Sequence, residues 1–271
     1  MTTSLTTLST APAPVRPLAD TRTMLCRGVR RLIRYPSLTL MLVGLPVVLL
    51  LLFVFVLGGT LGAGLGGGGG RTEYLAYVVP GILLLTVASS GQGTAISVAM
   101  DMTEGIIARF RTMAIHQPSV LTGHAFGAVI QNAVAVVVVL AVALLIGYRP
   151  EAGPLGWLGA VALLLLVALA VTWLTVAMGL AAKSVETASN TPMILVLLPF
   201  LGSGFVPTDS MPTVLRWFAE YQPFTPVMET LRALLSGRTP GALDAGLAVG
   251  WCVLVAVLGW VRSKRLYTRS R

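Results

Sequence analysis

Between Leu38 and Leu57 the chain runs for 20 residues without a charge. A helix of that length rises about 30 Å, the thickness of a bilayer's hydrocarbon core. Five further apolar stretches lie near residues 75–99, 125–147, 155–182, 191–206 and 243–261. Their lengths suit helices, since a membrane strand needs only about 9–11 residues in strict alternation. Composition closes the other routes. Only 11% of residues are charged and 55% are hydrophobic, against roughly 25% charged in a soluble domain. A soluble globular protein, a disordered chain and a disulfide-built secreted module are thereby excluded.

The expected fold class is an all-α polytopic membrane protein with six transmembrane helices. The fifth stretch is short at 16 residues, and the semi-apolar segment 207–241 follows it. That segment reads as a re-entrant outer hairpin before the last span, with Pro207, Pro212, Pro223 and Pro226 punctuating two short amphipathic pieces. Phe205, Pro207, Phe218, Pro223 and Phe224 are its candidate gate residues.

The net charge of +9 comes from 19 Lys and Arg against 10 Asp and Glu. Basic excess of this size in a soluble chain would point to nucleic acid; here the positive-inside rule accounts for it, and no nucleic-acid partner is expected. With six spans both ends share one side. That side would hold 14 basic residues, among them Arg16, Arg22, Arg27, Arg30, Arg31, Arg34, Arg109, Arg111, Lys183 and five beyond Val261. The other side would hold Arg71, Arg149, Arg216, Arg232 and Arg238. Both termini are therefore placed in the cytoplasm. Residues 1–17 read as a disordered tail without the apolar core of a signal peptide, and 263–271 as a basic tail. Cys26 precedes the first span and Cys252 lies inside the last, so no disulfide is expected.

Residues 20–35 form an N-terminal amphipathic elbow helix in this reading. Leu25, Val29, Leu32 and Ile33 share one face, and Arg27, Arg30, Arg31 and Arg34 the opposite one. Such a helix lies in the interface with its arginines near anionic lipid headgroups or a cytoplasmic partner; a topology anchor is the plainer alternative. Pro36 then turns the chain into the first span. The segment 58–70 holds nine glycines in 13 residues. Gly62, Gly64 and Gly67 fit G-x-G-x-x-G, but without the preceding strand that a dinucleotide site needs. It reads as a flexible outer linker.

Small and hydroxylated residues at 89–94 let another helix approach the second span closely, and Gln92 can hydrogen-bond across the contact. Gln92, Gln131 and Asn132 are also the candidates for lining a pathway. Within the six stretches the only formally charged side chain is Asp244, near one end. Ion-driven transporters carry such groups at depth, so this chain lacks an ion-coupling device of its own. It also lacks a Walker A loop: Lys183-Ser184 follows Ala182, with Ala177 where the first glycine is required. The chain is thus expected not to be an enzyme, to bind no cofactor itself and to draw energy from elsewhere. His116 and His124 have no nearby carboxylate or Cys, and no metal site is expected.

The segment 101–113 is the candidate receiver of that energy. Asp101-Met102-Thr103-Glu104 has capping-box spacing. Met102, Ile106, Phe110 and Met113 then form one stripe, with Arg109 and Arg111 off it. A short cytoplasmic coupling helix exposing Phe110 can dock a partner, because aromatic anchors dominate interfaces; the alternative is a stripe that merely packs on the bundle. Asp101, Glu104, Ile107, Arg109, Phe110 and Arg111 are the candidate coupling residues.

Three blocks resemble the membrane subunit of ABC-2-type (type V) exporters, closest to the daunorubicin-resistance-type permeases of actinobacteria. They are Arg30-Arg31-Leu32-Ile33-Arg34-Tyr35-Pro36, the run from Asp101 through Phe110 to His116 with Val120-Leu121-Thr122-Gly123, and Gly204-Phe205-Val206-Pro207 through Gln222-Pro223-Phe224-Thr225-Pro226 to Leu234. The resemblance covers about residues 18–262. Many relatives have Asn-Pro where this chain has Gln222-Pro223, and the glycine-rich first outer loop is unusual. The resemblance implies a separate ATPase subunit holding ATP and Mg, and a second permease copy or related permease. It also implies a bacterial cell membrane and export of amphipathic drugs or lipids. Competing readings are a glycolipid or polysaccharide exporter permease and a non-transporting scaffold or immunity protein.

Overall fold

The computed structural model describes residues 36–64, 70–103, 117–208 and 211–269. Among them every regular element is helical. The elbow helix with Arg27, Arg30, Arg31 and Arg34 lies outside the described residues. So do Glu104, Ile107, Arg109, Phe110 and Arg111.

Helix α1 (Pro36–Leu51) continues through a wider π-type stretch (Leu52–Leu57) into α2 (Gly58–Gly64). The glycine-rich segment read as a flexible linker is therefore helical as far as Gly64. Its lack of side chains lets it lie close against the start of α3 (Gly70–Thr103), where a Cβ on Gly62 would collide with the Gly70 backbone. Helices α4 (Gln117–Leu145) and α5 (Pro154–Ala181) follow, then two short helices, α6 (Val185–Asn190) and α7 (Met193–Leu197). A hairpin of α8 (Thr213–Tyr221) and α9 (Phe224–Leu235) precedes the last helix, α10 (Ala242–Arg269).

Five of these runs are long and apolar enough to cross a bilayer: 42–63, 70–103, 125–145, 154–181 and 242–268. The sequence predicts six. The difference lies in the fifth apolar stretch, 191–206, which is not one continuous helix. Pro192 and Pro199 cannot donate backbone hydrogen bonds, and Gly202 and Gly204 weaken the remaining turns. The segment nonetheless runs antiparallel along α3. Gln92 meets Ser189, Gly81 meets Gly204, Tyr77 meets Ser203 and Tyr74 meets Phe205. From Gln92 to Tyr74 a helix rises about 27 Å, so the broken segment covers nearly a full hydrocarbon thickness.

Helix α3 is the axle of the bundle. It packs against α1, α2, α4, α5, α6, α7 and α9, and 89% of its membrane-length window is buried. Two glycines permit close crossings of helix backbones. A Cβ on Gly81 would stand 2.6 Å from the Gly204 carbonyl oxygen, and one on Gly179 would stand 2.6 Å from the Ala95 oxygen. The bundle's outer faces are apolar: Val48 and Val56 on the first run, Val137 on α4, and Val257 and Leu258 on α10 are all exposed. In water this would be an aggregating surface; in lipid it is the expected one.

Candidate functional site

The hairpin's shape follows from its prolines. Pro223 pushes Gln222 out of helical geometry, to φ −67° and ψ 150°, and so ends α8. Pro223 then caps α9, and Pro226 sits in the first turn of α9, where a missing N–H costs nothing. The far end of α9 closes on Gly237, whose φ of +69° suits glycine. There the Arg238 N–H donates to the Ala233 oxygen and the Gly237 N–H to the Leu234 oxygen, a Schellman cap. Gly147 (φ +110°) closes α4 in the same way. Beside it Tyr148 is buried, and desolvation pushes its phenol up to about 12.

Contacts with α5 fix how deep the hairpin reaches. The Glu151 N–H donates to the Leu235 oxygen at 3.0 Å, and a Cβ on Gly156 would meet the Leu234 oxygen. At the other end of α9, Phe224 and Val227 share a cleft with Val167 and Val171. Residues 156 and 167–171 are about 16–22 Å apart along a helix. The Gln222-Pro223 tip is therefore sunk well down the flank of the bundle. Gln222 is buried against Gly202, with its Nε2 3.4 Å from the Thr225 hydroxyl and no hydrogen bond to its Oε1 among the described residues. The Thr225 hydroxyl in turn donates to the Ala219 carbonyl, tying the two arms together.

A single cation ties the hairpin to α3 and to the broken segment. Arg232 is ion-paired with Glu229 at 2.6 Å and donates to the Ser203 carbonyl at 2.7 Å and the Tyr77 carbonyl at 3.3 Å. Its guanidinium also lies 3.9 Å over the Tyr77 ring, and the Tyr77 hydroxyl donates to the same Ser203 oxygen at 2.8 Å. Tyr74 donates to the Phe205 carbonyl at 3.1 Å. These groups satisfy carbonyls that the broken helix leaves without partners, which is how a helix can be interrupted at membrane depth. Phe205 completes the junction, stacked on Phe200 at 4.5 Å and tilted against Phe53 at 4.7 Å.

The predicted gate residues thus separate into groups. Phe205 is buried in this junction, and Pro207 is half-buried just beyond it. Pro223 and Phe224 border the cleft at the hairpin tip. Phe218 is exposed on α8, on the same apolar face as Val214, Trp217 and Tyr221, with the Arg216–Glu220 pair on the opposite face. Among the pathway candidates, Gln92 donates to the Ser189 carbonyl at 2.8 Å, holding α6 against α3. Asn132 is buried, with its Nδ2 3.5 Å from the Val87 oxygen, while Gln131, one step round α4, is half-buried. Asp101 is buried near the end of α3. Ser89 and Ser90 are buried with no hydrogen bond to their hydroxyls among the described residues.

Tyr74, Tyr77 and Ser203 are not among the candidates that the sequence offers, and Arg232 figures there only as an outer charge and within the third resembling block. One signal was visible: Arg232 stands alone in the apolar run 231–235. Such a residue needs a partner.

An open cleft lies between α5, α7, α9 and α10. It is lined by Val167, Ala170, Val171, Leu174, Leu195, Leu198, Pro223, Phe224, Val227, Trp251, Cys252 and Val255. Among the described residues no three of His, Cys, Asp and Glu stand together as metal ligands.

The family described as ABC-2 type transporter matches residues 19–235. A daunorubicin resistance ABC transporter permease protein, DrrB1 of Streptomyces coeruleorubidus, is 31% identical over 268 residues, 97% of this chain and 91% of that protein. A probable doxorubicin resistance ABC transporter permease protein, DrrC of Mycobacterium tuberculosis (strain CDC 1551 / Oshkosh), is 23% identical over 186 residues, 68% of this chain and 67% of its own length. The same protein of strain H37Rv matches equally.

Proposed function

The chain belongs to the ABC-2 type transporter family, and from that premise we propose that it is the permease subunit of an ATP-driven exporter of amphipathic drug- or lipid-like molecules. The observation that carries the reading is the identity to a daunorubicin resistance permease across 97% of the chain. Membership implies a multi-pass protein of a bacterial membrane that works with a separate ATP-binding subunit. That partner holds ATP and Mg, and this chain supplies the route. A lateral cleft without a charged lining residue suits an apolar or amphipathic substrate better than a sugar chain.

In this proposal the segment 191–206 is the fifth of six crossings, and both termini face the cytoplasm, where the arginines concentrate. Two copies, or this chain and a related permease, enclose the pathway. The hairpin closes its outer end through Phe205, Pro207, Phe218, Pro223 and Phe224. At the inner end the ATPase seats on 101–113. Phe110 fills an apolar cleft on it, Ile107 and Asp101 support the helix, and Arg109 and Arg111 flank the contact. Glu104 pairs with an arginine of the elbow, whose Arg27, Arg30, Arg31 and Arg34 otherwise sit at anionic headgroups.

The test is co-purification with the separately encoded ATPase, followed by hydrolysis measured with and without candidate substrates. Removing an aromatic anchor costs about 2–4 kcal/mol of binding, a roughly 30- to 800-fold loss. Phe110→Ala is therefore expected to release the ATPase while the permease stays inserted. Full recruitment and substrate-stimulated hydrolysis in that variant would remove the proposed handle, and Lys183–Asn190 would be the next segment to test.

A further inference from the structure

We propose that the cleft between α5, α7, α9 and α10 is a binding site for a single acyl chain of a membrane lipid, held against the hairpin tip. Three observations select that occupant. The walls are apolar, with the Trp251 indole N–H and the Cys252 thiol the only polar groups among their side chains. Water needs two to four polar partners to settle in a cavity, and a headgroup or sugar needs more, so neither fits.

The second observation is place. One wall belongs to α10, the least covered of the long helices, with 17% of its membrane window buried. Val253 and Leu254, on the same turns as the wall residues, are exposed, so the cleft adjoins surface that lipid must cover. The third is depth. Phe224 lies far along α5 from the Gly156–Leu234 contact, at the level of acyl chains and not of headgroups.

A flexible hydrocarbon chain can follow such a groove. Left unfilled, the walls would forfeit dispersion contacts along their length. A chain in the cleft would brace Phe224 and Pro223, giving the surrounding lipid a direct hold on the hairpin.

Photolabelling tests this in the full chain, reconstituted in phosphatidylcholine liposomes that carry a diazirine midway along one acyl chain. It needs no transport, so its failure is separate from failure of the exporter reading. Adducts on Trp251, Val255 and Phe224 should exceed those on the openly exposed α1 residues, per residue, by about three-fold or more, because a retained chain packs on several walls at once. Val255→Trp and Leu198→Trp fill the cleft from opposite sides. Each should bring labelling of Phe224 down to the α1 level and leave α1 itself unchanged. Equal labelling of the cleft and α1 in the unmodified chain would overturn the proposal. So would labelling of Phe224 that survives both substitutions. Should a variant fail to insert, the ratio in the unmodified chain still decides.

Discussion

Helices α3 and α10 are both long enough to cross a bilayer, yet they are built on opposite plans. Helix α3 has the least apolar membrane window of the five and the most buried one, at 89%. It carries Ser89, Ser90, Gly91, Gln92, Gly93 and Thr94 in its interior. Helix α10 is 17% buried there and turns Leu247, Val253, Leu254, Val257 and Leu258 outward. In a soluble protein the most apolar helix would sit in the middle. In hydrocarbon there is no water to escape, so leucine gains little from burial. Small residues gain close packing, and polar groups gain partners. The axle is therefore the helix with glycines and hydroxyls, and the rim helix turns aliphatic side chains outward.

The comparison breaks most severely at the tight crossings of α3. Gly81→Leu would drive a side chain into the Gly204 backbone, whose oxygen already lies 2.6 Å from a Cβ. Loss of folded protein is the expected outcome, read as failure to elute as a single species in detergent. Arg232→Ala should come next. It removes the ion pair with Glu229 and the two hydrogen bonds to the carbonyls of Ser203 and Tyr77. Glu229 is 40% exposed, which discounts the charge term, so about 2–3 kcal/mol is expected from the charge-assisted hydrogen bonds. A thermal unfolding shift measures it, and Arg232→Lys should restore only part, because a point charge cannot stack and fork at once.

A matched pair sharpens the contrast. Leu84 on α3 is fully buried and Leu254 on α10 is 47% exposed. Leu84→Ala leaves a cavity and should cost about 2 kcal/mol. Leu254→Ala trades one lipid contact for another and should stay within about 0.5 kcal/mol. Equal losses at the two sites would mean that α10 is covered by protein in the membrane, as a second copy would cover it.

Much of this architecture could be read from the chain, because bilayer thickness fixes helix length. Four prolines marked the hairpin: α8 lies between Pro212 and Pro223, and α9 starts directly after Pro223. The break in 191–206 was also written, in Pro192, Pro199, Gly202 and Gly204, but the apolar run concealed it. Glycine content misled at 58–64, where packing on the start of α3 outweighs low helix propensity. What the sequence could not supply was pairing at long range. Arg232 and Tyr77 are 155 positions apart, and nothing local says that one will lie on the other. The cleft is equally non-local, assembled from four elements.

Transport itself is the most direct test of the account. Inverted membrane vesicles holding this chain and the proposed ATPase partner should take an amphipathic drug or lipid into the lumen when ATP is added, and Phe110→Ala should abolish that uptake. Uptake without ATP, or no uptake while the bound ATPase hydrolyses ATP across a panel of amphipathic drugs and lipids, would contradict it.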